Sequence, residues 1–148
     1  MTNTRHMLAT ASWRVGAFFI DGIFGRIISV VVDAGWPDSM LMLGLTLTAY
    51  MLLRDAPGAS LGKLILGLRV VGEEGGPASF QSRVLRNVPF AFPYALLLIP
   101  IVGPLLMLVA APAVNIAETV NLVSKGRRAG DRMAHTSVVF TRRTVVAG

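Results

Sequence analysis

Arg14 and Asp21 lie seven residues apart in the first long apolar stretch of the chain. Seven residues is close to two helical turns, so both side chains leave one helix face, about 10 Å apart along its axis. A carboxylate carried into hydrocarbon costs upwards of ~2.5 kcal/mol, which marks Asp21 as a candidate for function. A second polar pair, Asn115 and Glu118, stands three residues apart in the last apolar stretch and also shares a helix face. If Asp21, Asn115 and Glu118 meet at one depth, they form an oxygen-rich cluster. Crowded carboxylates raise each other's proton affinity and permit proton or cation exchange near neutral pH. The alternative is fixation of helix to helix by hydrogen bonds of about 0.6–2 kcal/mol each.

The elements that would position these groups are apolar spans. The chain of 148 residues is 53% hydrophobic and 15% charged, with a mean hydropathy of +0.63. A soluble domain carries about 25% charged residues, so the balance points to a membrane. The first span reads from Trp13 to Asp33, bracketed by Trp13 and Trp36 as interfacial aromatics, and the second covers about 38–53. The run from Val88 to Val123 is too long for one span, and its Pro100–Pro104 segment is a strong breaker. Two further spans, 84–99 and 104–123, are therefore expected. Pro112 inside the last one is expected to kink it. On this layout Glu118 lies about 9 Å and Asn115 about 13 Å inside the end of the fourth span, level with Asp21 by helical rise.

Charge gives the direction. With four spans, both termini and the 54–83 loop share one side. That side holds Arg5, Arg14, Arg54, Lys63, Arg69, Arg83, Arg86, Lys125, Arg127, Arg128, Arg132, Arg142 and Arg143. Only Arg26 falls elsewhere, within the first span, seven residues before Asp33 and able to reach outward toward it. The basic side is expected to be cytoplasmic. The net charge of +6 follows this placement, not an aromatic-interleaved groove, so nucleic acid is excluded as a partner. A cleaved signal peptide is not expected, given the length of the first stretch and Asp21 and Arg26 within it.

The remainder of the sequence offers little for catalysis. There is no cysteine and there are only two histidines, His6 and His135, without ligand-like spacing. No nucleophile–base arrangement, metal motif or cofactor motif is visible. Ser60-Leu61-Gly62-Lys63 lacks the first glycine and the following Ser/Thr of a phosphate loop. In the loop, Leu68–Val71 reads as a strand, Glu73–Gly76 as a turn and Ser79–Asn87 as the start of a helix with Ser79 as its N-cap. Thr136–Thr141 reads as a second strand, and the two are expected to pair as a small cap. Gly22, Gly25 and Ser29 form a small-residue stripe suited to close helix contact.

Four segments carry a resemblance: WRVGAFFIDG (13–22), SLGKLILGLRVVGEEGGPASF (60–80), Arg83 with Arg86-Asn87, and RRAGDRMAHTSVV (127–139). Together, and in this order, they resemble the RDD family, small bacterial membrane proteins named for one arginine and two aspartates. The resemblance covers about residues 12–140. It makes Arg14 the family arginine and Asp21 and Asp131 the two aspartates. Gly62, Lys63, Gly67 and Arg69 match the family's loop positions. Its closing Ala-Gly-Thr becomes Ala134-His135-Thr136, which leaves two readings: looser packing there, or no need of positive φ. The resemblance implies a membrane fold but no settled activity; transport of ions or small ligands has been suggested for the family, and members look like accessory subunits.

The sequence thus predicts an all-α integral membrane protein, one domain over 1–148, with four spans, a tail over 124–148 and a two-stranded pairing of loop and tail. Asp131, at the exit of span four, is expected to pair with Arg14 at the entrance of span one. The expected role is an accessory or assembly subunit in the bacterial inner membrane, with protein partners or further copies of itself beside the lipid bilayer. The alternative is a transporter using Asp21, Asn115 and Glu118. No enzyme activity and no cofactor are expected.

Overall fold

In the computed structural model, residues 4–146 are described, with side chains from residue 9 to residue 141. The side chains of Arg5, Arg142 and Arg143, counted in the charge map, lie outside the described residues.

Two long helices frame the molecule: α1 (Ala11–Gly35) and α6 (Gly103–Lys125). Both are long and apolar enough to cross a membrane. Between them lie α2 (Met40–Leu53), α3 (Leu61–Ile65), α4 (Phe80–Leu85) and α5 (Val88–Ala95) with a 3-10 turn, Leu96–Leu98. A short α7 (Ala129–Met133) precedes the last strand. The 14 residues of α2 rise about 21 Å, short of a hydrocarbon core of about 30 Å. The segment Val88–Leu98 is shorter still. Length and composition therefore support two spans, where four were expected.

Backbone chemistry explains the breaks. Ser39 caps α2 by accepting the Met42 N–H, and Ser79 caps α4 by accepting the Ser82 N–H at 3.1 Å. The expected third span, 84–99, is divided: α4 ends at Leu85 and a new helix begins at Val88. Pro89 lacks the N–H that would bond the Leu85 carbonyl, and Pro93 repeats the defect one turn on. Gly103 must be glycine, because a Cβ there would collide with the Leu96 carbonyl oxygen. The helix α6 runs through Pro112 as one element and stops at Gly126, whose φ of 68° is left-handed.

The sheet has three strands where two were expected. β2 (Leu68–Gly72) pairs antiparallel with β3 (Thr136–Val146), from Leu68 opposite Phe140 to Gly72 opposite Thr136. β1 (Thr4–Leu8) adds to the other edge of β3, giving the order β1-β3-β2. Its sequence, TRHML, shows no apolar alternation, so nothing marked it as a strand. Leu68 and Val138 form a core with Ala9 and Ala17, which seats the sheet on the start of α1. Trp13 of α1 meets Phe140 of β3 edge to face, ring centroids 5.8 Å apart.

Of the two readings left open at His135, the structure excludes the second: its φ is 51°. The backbone keeps the left-handed conformation that glycine adopts freely, and a histidine side chain bears the strain. Its Nδ1 lies 3.2 Å from Glu73 Oε1 at an exposed position, a contact worth little. His135→Gly is therefore expected to stabilise the protein by about 0.5 kcal/mol. Thermal unfolding in detergent measures this, and an unchanged or lower Tm would count against the strain.

Candidate functional site

Among the described residues, several buried charges form two knots joined by Arg86. In the first knot, Asp131 sits on the first turn of α7, where the helix N-terminus favours an anion. Arg14 of α1 donates to its Oδ2, and Arg86 Nη2 donates to its Oδ1 at 2.6 Å. The Arg128 N–H also reaches Oδ2, at 3.3 Å. Asp131 is 1% exposed. Burial alone would raise its pKa, but Arg86, Arg14 and Arg128 together hold the carboxyl below its ordinary value. The approach is close because residue 130 is glycine: a Cβ there would collide with the Arg86 carbonyl oxygen.

In the second knot Asp55, fully buried just after α2, accepts from Lys63 of α3 and from the Ser60 N–H at 2.9 Å. Arg86 Nε approaches its other oxygen at 3.6 Å. Against the raising effect of burial, Lys63, Arg86 and Arg54 keep Asp55 well below the usual carboxylate range. Burial pushes the Lys63 ammonium down to about 7, against the opposing pull of Asp55. The Arg86 side chain thus spans both carboxylates. Asn87, beside it, donates to the Leu52 and Arg83 carbonyls and accepts from Arg54 Nε at 3.4 Å.

Asp21 belongs to neither knot. Its Oδ2 accepts the Ser60 hydroxyl at 2.6 Å, and its Oδ1 accepts the Gly62 N–H at 2.8 Å. The carboxylate therefore caps the first turn of α3 from outside, and only 2% of the residue is exposed. A side chain at position 62 would strike the Ala17 carbonyl and Asp21 Oδ1, so glycine is what lets α3 lie on α1. The Tyr50 hydroxyl, from α2, donates to the Asp21 carbonyl at 3.0 Å.

The structure does not bring Asp21 to Asn115 and Glu118. A shared depth along two helices leaves open which way each helix faces. Asp21 turns to the loop helix α3, while Asn115 and Glu118 turn to a cleft of about 450 Å³ lined also by Phe18, Phe90 and Arg128. Glu118 receives the backbone N–H groups of Ala129 and Gly130, at the start of α7. Its Oε2 and the Asn115 Oδ1 are buried and unpartnered. Arg54 and Arg128 lie against the same ring pair, Phe18 and Phe90, with 4.9 Å and 5.2 Å to the Phe90 centroid.

The other expected positions serve the frame. Gly67, at φ 66°, turns the chain from α3 into β2, and its carbonyl accepts the Thr141 N–H. Arg69 lies on β2 opposite Val139, and Thr136 is fully buried opposite Gly72. Gly25 of the small-residue stripe faces Tyr50 and Met51 of α2, whereas Gly22 has open space. Arg54 and Arg128 entered the sequence reading only as charges at the ends of spans, and Asp55 did not enter it at all. Among the described residues, no group of three or more histidine or carboxylate side chains is placed to hold a metal ion.

Removing one member of a buried pair leaves its partner uncompensated. Asp131→Asn, which strands Arg14 and Arg86, is expected to cost about 3–5 kcal/mol, read as a loss of Tm in detergent. Asp55 and Asp131 both have folded-state pKa values below their unfolded ones. Their contribution is complete above the unfolded carboxylate pKa of about 4 and is lost as pH falls through the folded values. Tm should therefore fall steeply below about pH 4, and less steeply in Asp55→Asn. Superimposable pH profiles would refute the assignment.

Compared with known proteins, the chain matches no curated protein and no solved structure. The sequence pattern of the RDD family matches residues 8–135, which include Arg14, Asp21, both knots and the Asn115–Glu118 cleft. The chain belongs to the RDD family.

Proposed function

We propose that the protein is an accessory or assembly subunit of a larger complex in the bacterial inner membrane, with both termini and the ion-pair knots on the cytoplasmic side. The observation that carries this reading is the saturation of the family motif. Arg14 and Asp131 hold each other, and both oxygens of Asp21 are taken by Ser60 and Gly62. A carboxylate that binds and releases an ion needs an accessible coordination position, whereas each Asp21 oxygen already accepts a hydrogen bond from the chain and the residue is 2% exposed. The motif instead fastens the loop and the tail to α1, as a scaffold for contacts made elsewhere. Apolar side chains such as Phe19, Ile23, Leu108, Val109 and Val123 are exposed on the two long helices, in amounts that lipid or partner helices must cover. The charge asymmetry supports the orientation, and the absence of any nucleophile–base pairing in the sequence supports a role other than catalysis.

Transport is the second reading, and one observation favours it. Glu118 Oε2 and Asn115 Oδ1 are buried acceptors without partners, the kind of position an ion or proton could occupy. The two readings separate in experiment. Purification in mild detergent should bring down partner proteins in fixed stoichiometry. Recovery of a lone monomer overturns the accessory role. Vesicles containing the protein should show no ion flux that depends on Asp21 or Glu118. A flux abolished by Asp21→Asn or Glu118→Gln in folded protein would establish transport instead. On the accessory reading Asp21→Asn acts on stability alone, costing about 1–3 kcal/mol, because an amide nitrogen faces a donor where an acceptor stood.

A further inference from the structure

The cleft between α1 and α6 has a composition that names a ligand chemistry. Its walls are apolar, with Val15, Phe18 and Phe19 from α1 and Ile116 and Val120 from α6. At about 450 Å³ it lies within the size range of sites for small organic ligands, roughly 300–1,000 Å³. Its polar groups are few. Glu118 is 4% exposed, and its Oε2 has no hydrogen-bond partner; the Asn115 Oδ1 is buried and equally unpartnered. Both atoms are acceptors, so the missing partner is a donor. A buried acceptor left unmade costs about 1–3 kcal/mol, more when charged, so a donor group has a standing advantage there.

Arg128 completes the set. It gives one N–H to the Arg14 carbonyl at 3.3 Å and lies against Phe18 and Phe90, with no carboxylate in ion-pair contact among the described residues. A bare cation would meet the acceptors but leave Arg128, in the same cleft, without an anion. An anion would suit Arg128 but leave both acceptors unmade. A zwitterion carrying an N–H donor and a phosphate answers both.

We propose that this cleft seats one aminophospholipid from the leaflet on the charged side, with the head-group ammonium donating to Glu118 Oε2 and Asn115 Oδ1, the phosphate beside Arg128, and an acyl chain along the Phe18–Phe19–Ile116 wall. The occupant is a lipid because the walls are apolar and belong to the two helices whose outer surfaces face the membrane. The head group is a primary amine because both unpartnered acceptors belong to residues lining one cleft, where a quaternary ammonium has nothing to donate. This goes beyond the accessory role and does not depend on it, since the binding is read on purified protein without a partner.

Native mass spectrometry of the protein titrated with phosphatidylethanolamine, phosphatidylcholine and phosphatidylglycerol of identical chains provides the test. Phosphatidylethanolamine should be retained with about tenfold or greater preference over the other two, the worth of one charge-assisted hydrogen bond. Asn115→Leu should abolish the preference, and because Asn115 Oδ1 bonds nothing in the fold, that variant should fold as the wild type does. Glu118→Gln should weaken the preference as well, although it also touches the start of α7. Equal retention of the three lipids, stronger retention of phosphatidylglycerol, or a preference that survives Asn115→Leu would overturn the proposal.

Discussion

Much of this structure depends on one guanidinium. Arg86 stands at the break between α4 and α5, reaches Asp131 of α7 with one nitrogen and Asp55 after α2 with another, and is almost fully buried. The planar fork of arginine can face two carboxylates at once, which a lysine ammonium cannot do with the same geometry. Burying such charges is unfavourable unless each is paired, and the pairing here is shared. Arg14 shares Asp131, Lys63 shares Asp55, and Ser60 ties the second knot to Asp21. The consequence is specificity of arrangement: the loop, the tail and the first helix have one mutual placement in which Asp21, Asp55 and Asp131 each meet a donor.

Glycine makes the arrangement possible at two points. Gly62 lets α3 lie against the Ala17 carbonyl, and Gly130 lets α7 lie against the Arg86 carbonyl. In both places a short helix presses its backbone onto another chain segment, which brings its N-terminal N–H groups or its acid within reach of a charge. Neither glycine has positive φ, so close approach explains them and torsional freedom does not. Turn chemistry accounts for Gly67 and Gly126, which do adopt it.

Parts of this were legible in the amino-acid order and parts were not. The long apolar helices, the Pro100–Pro104 reversal, the Ser79 cap and the β2–β3 pairing follow from local pattern, which periodicity and capping residues carry. The contact of Arg14 with Asp131 followed from charge at the ends of two spans. What escaped was what depends on the third dimension. The facing of Asp21 toward α3, and not toward Glu118, is set by a five-residue helix too short to show a period. Asp55 carried no signal in the sequence beyond its place beside Arg54, and only folding reveals that it is fully buried. β1 has no apolar alternation because its place is set by the edge of β3 that it joins.

The position of Asp131 along the chain also sets an order of events during synthesis. Arg14 and Arg86 leave the ribosome long before the carboxylate that joins them, and β3, the central strand, follows later still. Until then, two arginines destined for burial have one anchor missing, and both edge strands lack the strand between them. Such distant pairings are slow to close because the intervening chain must first be ordered. The nascent protein therefore remains open at its charged end until the segment from Asp131 through β3 has emerged and closes it.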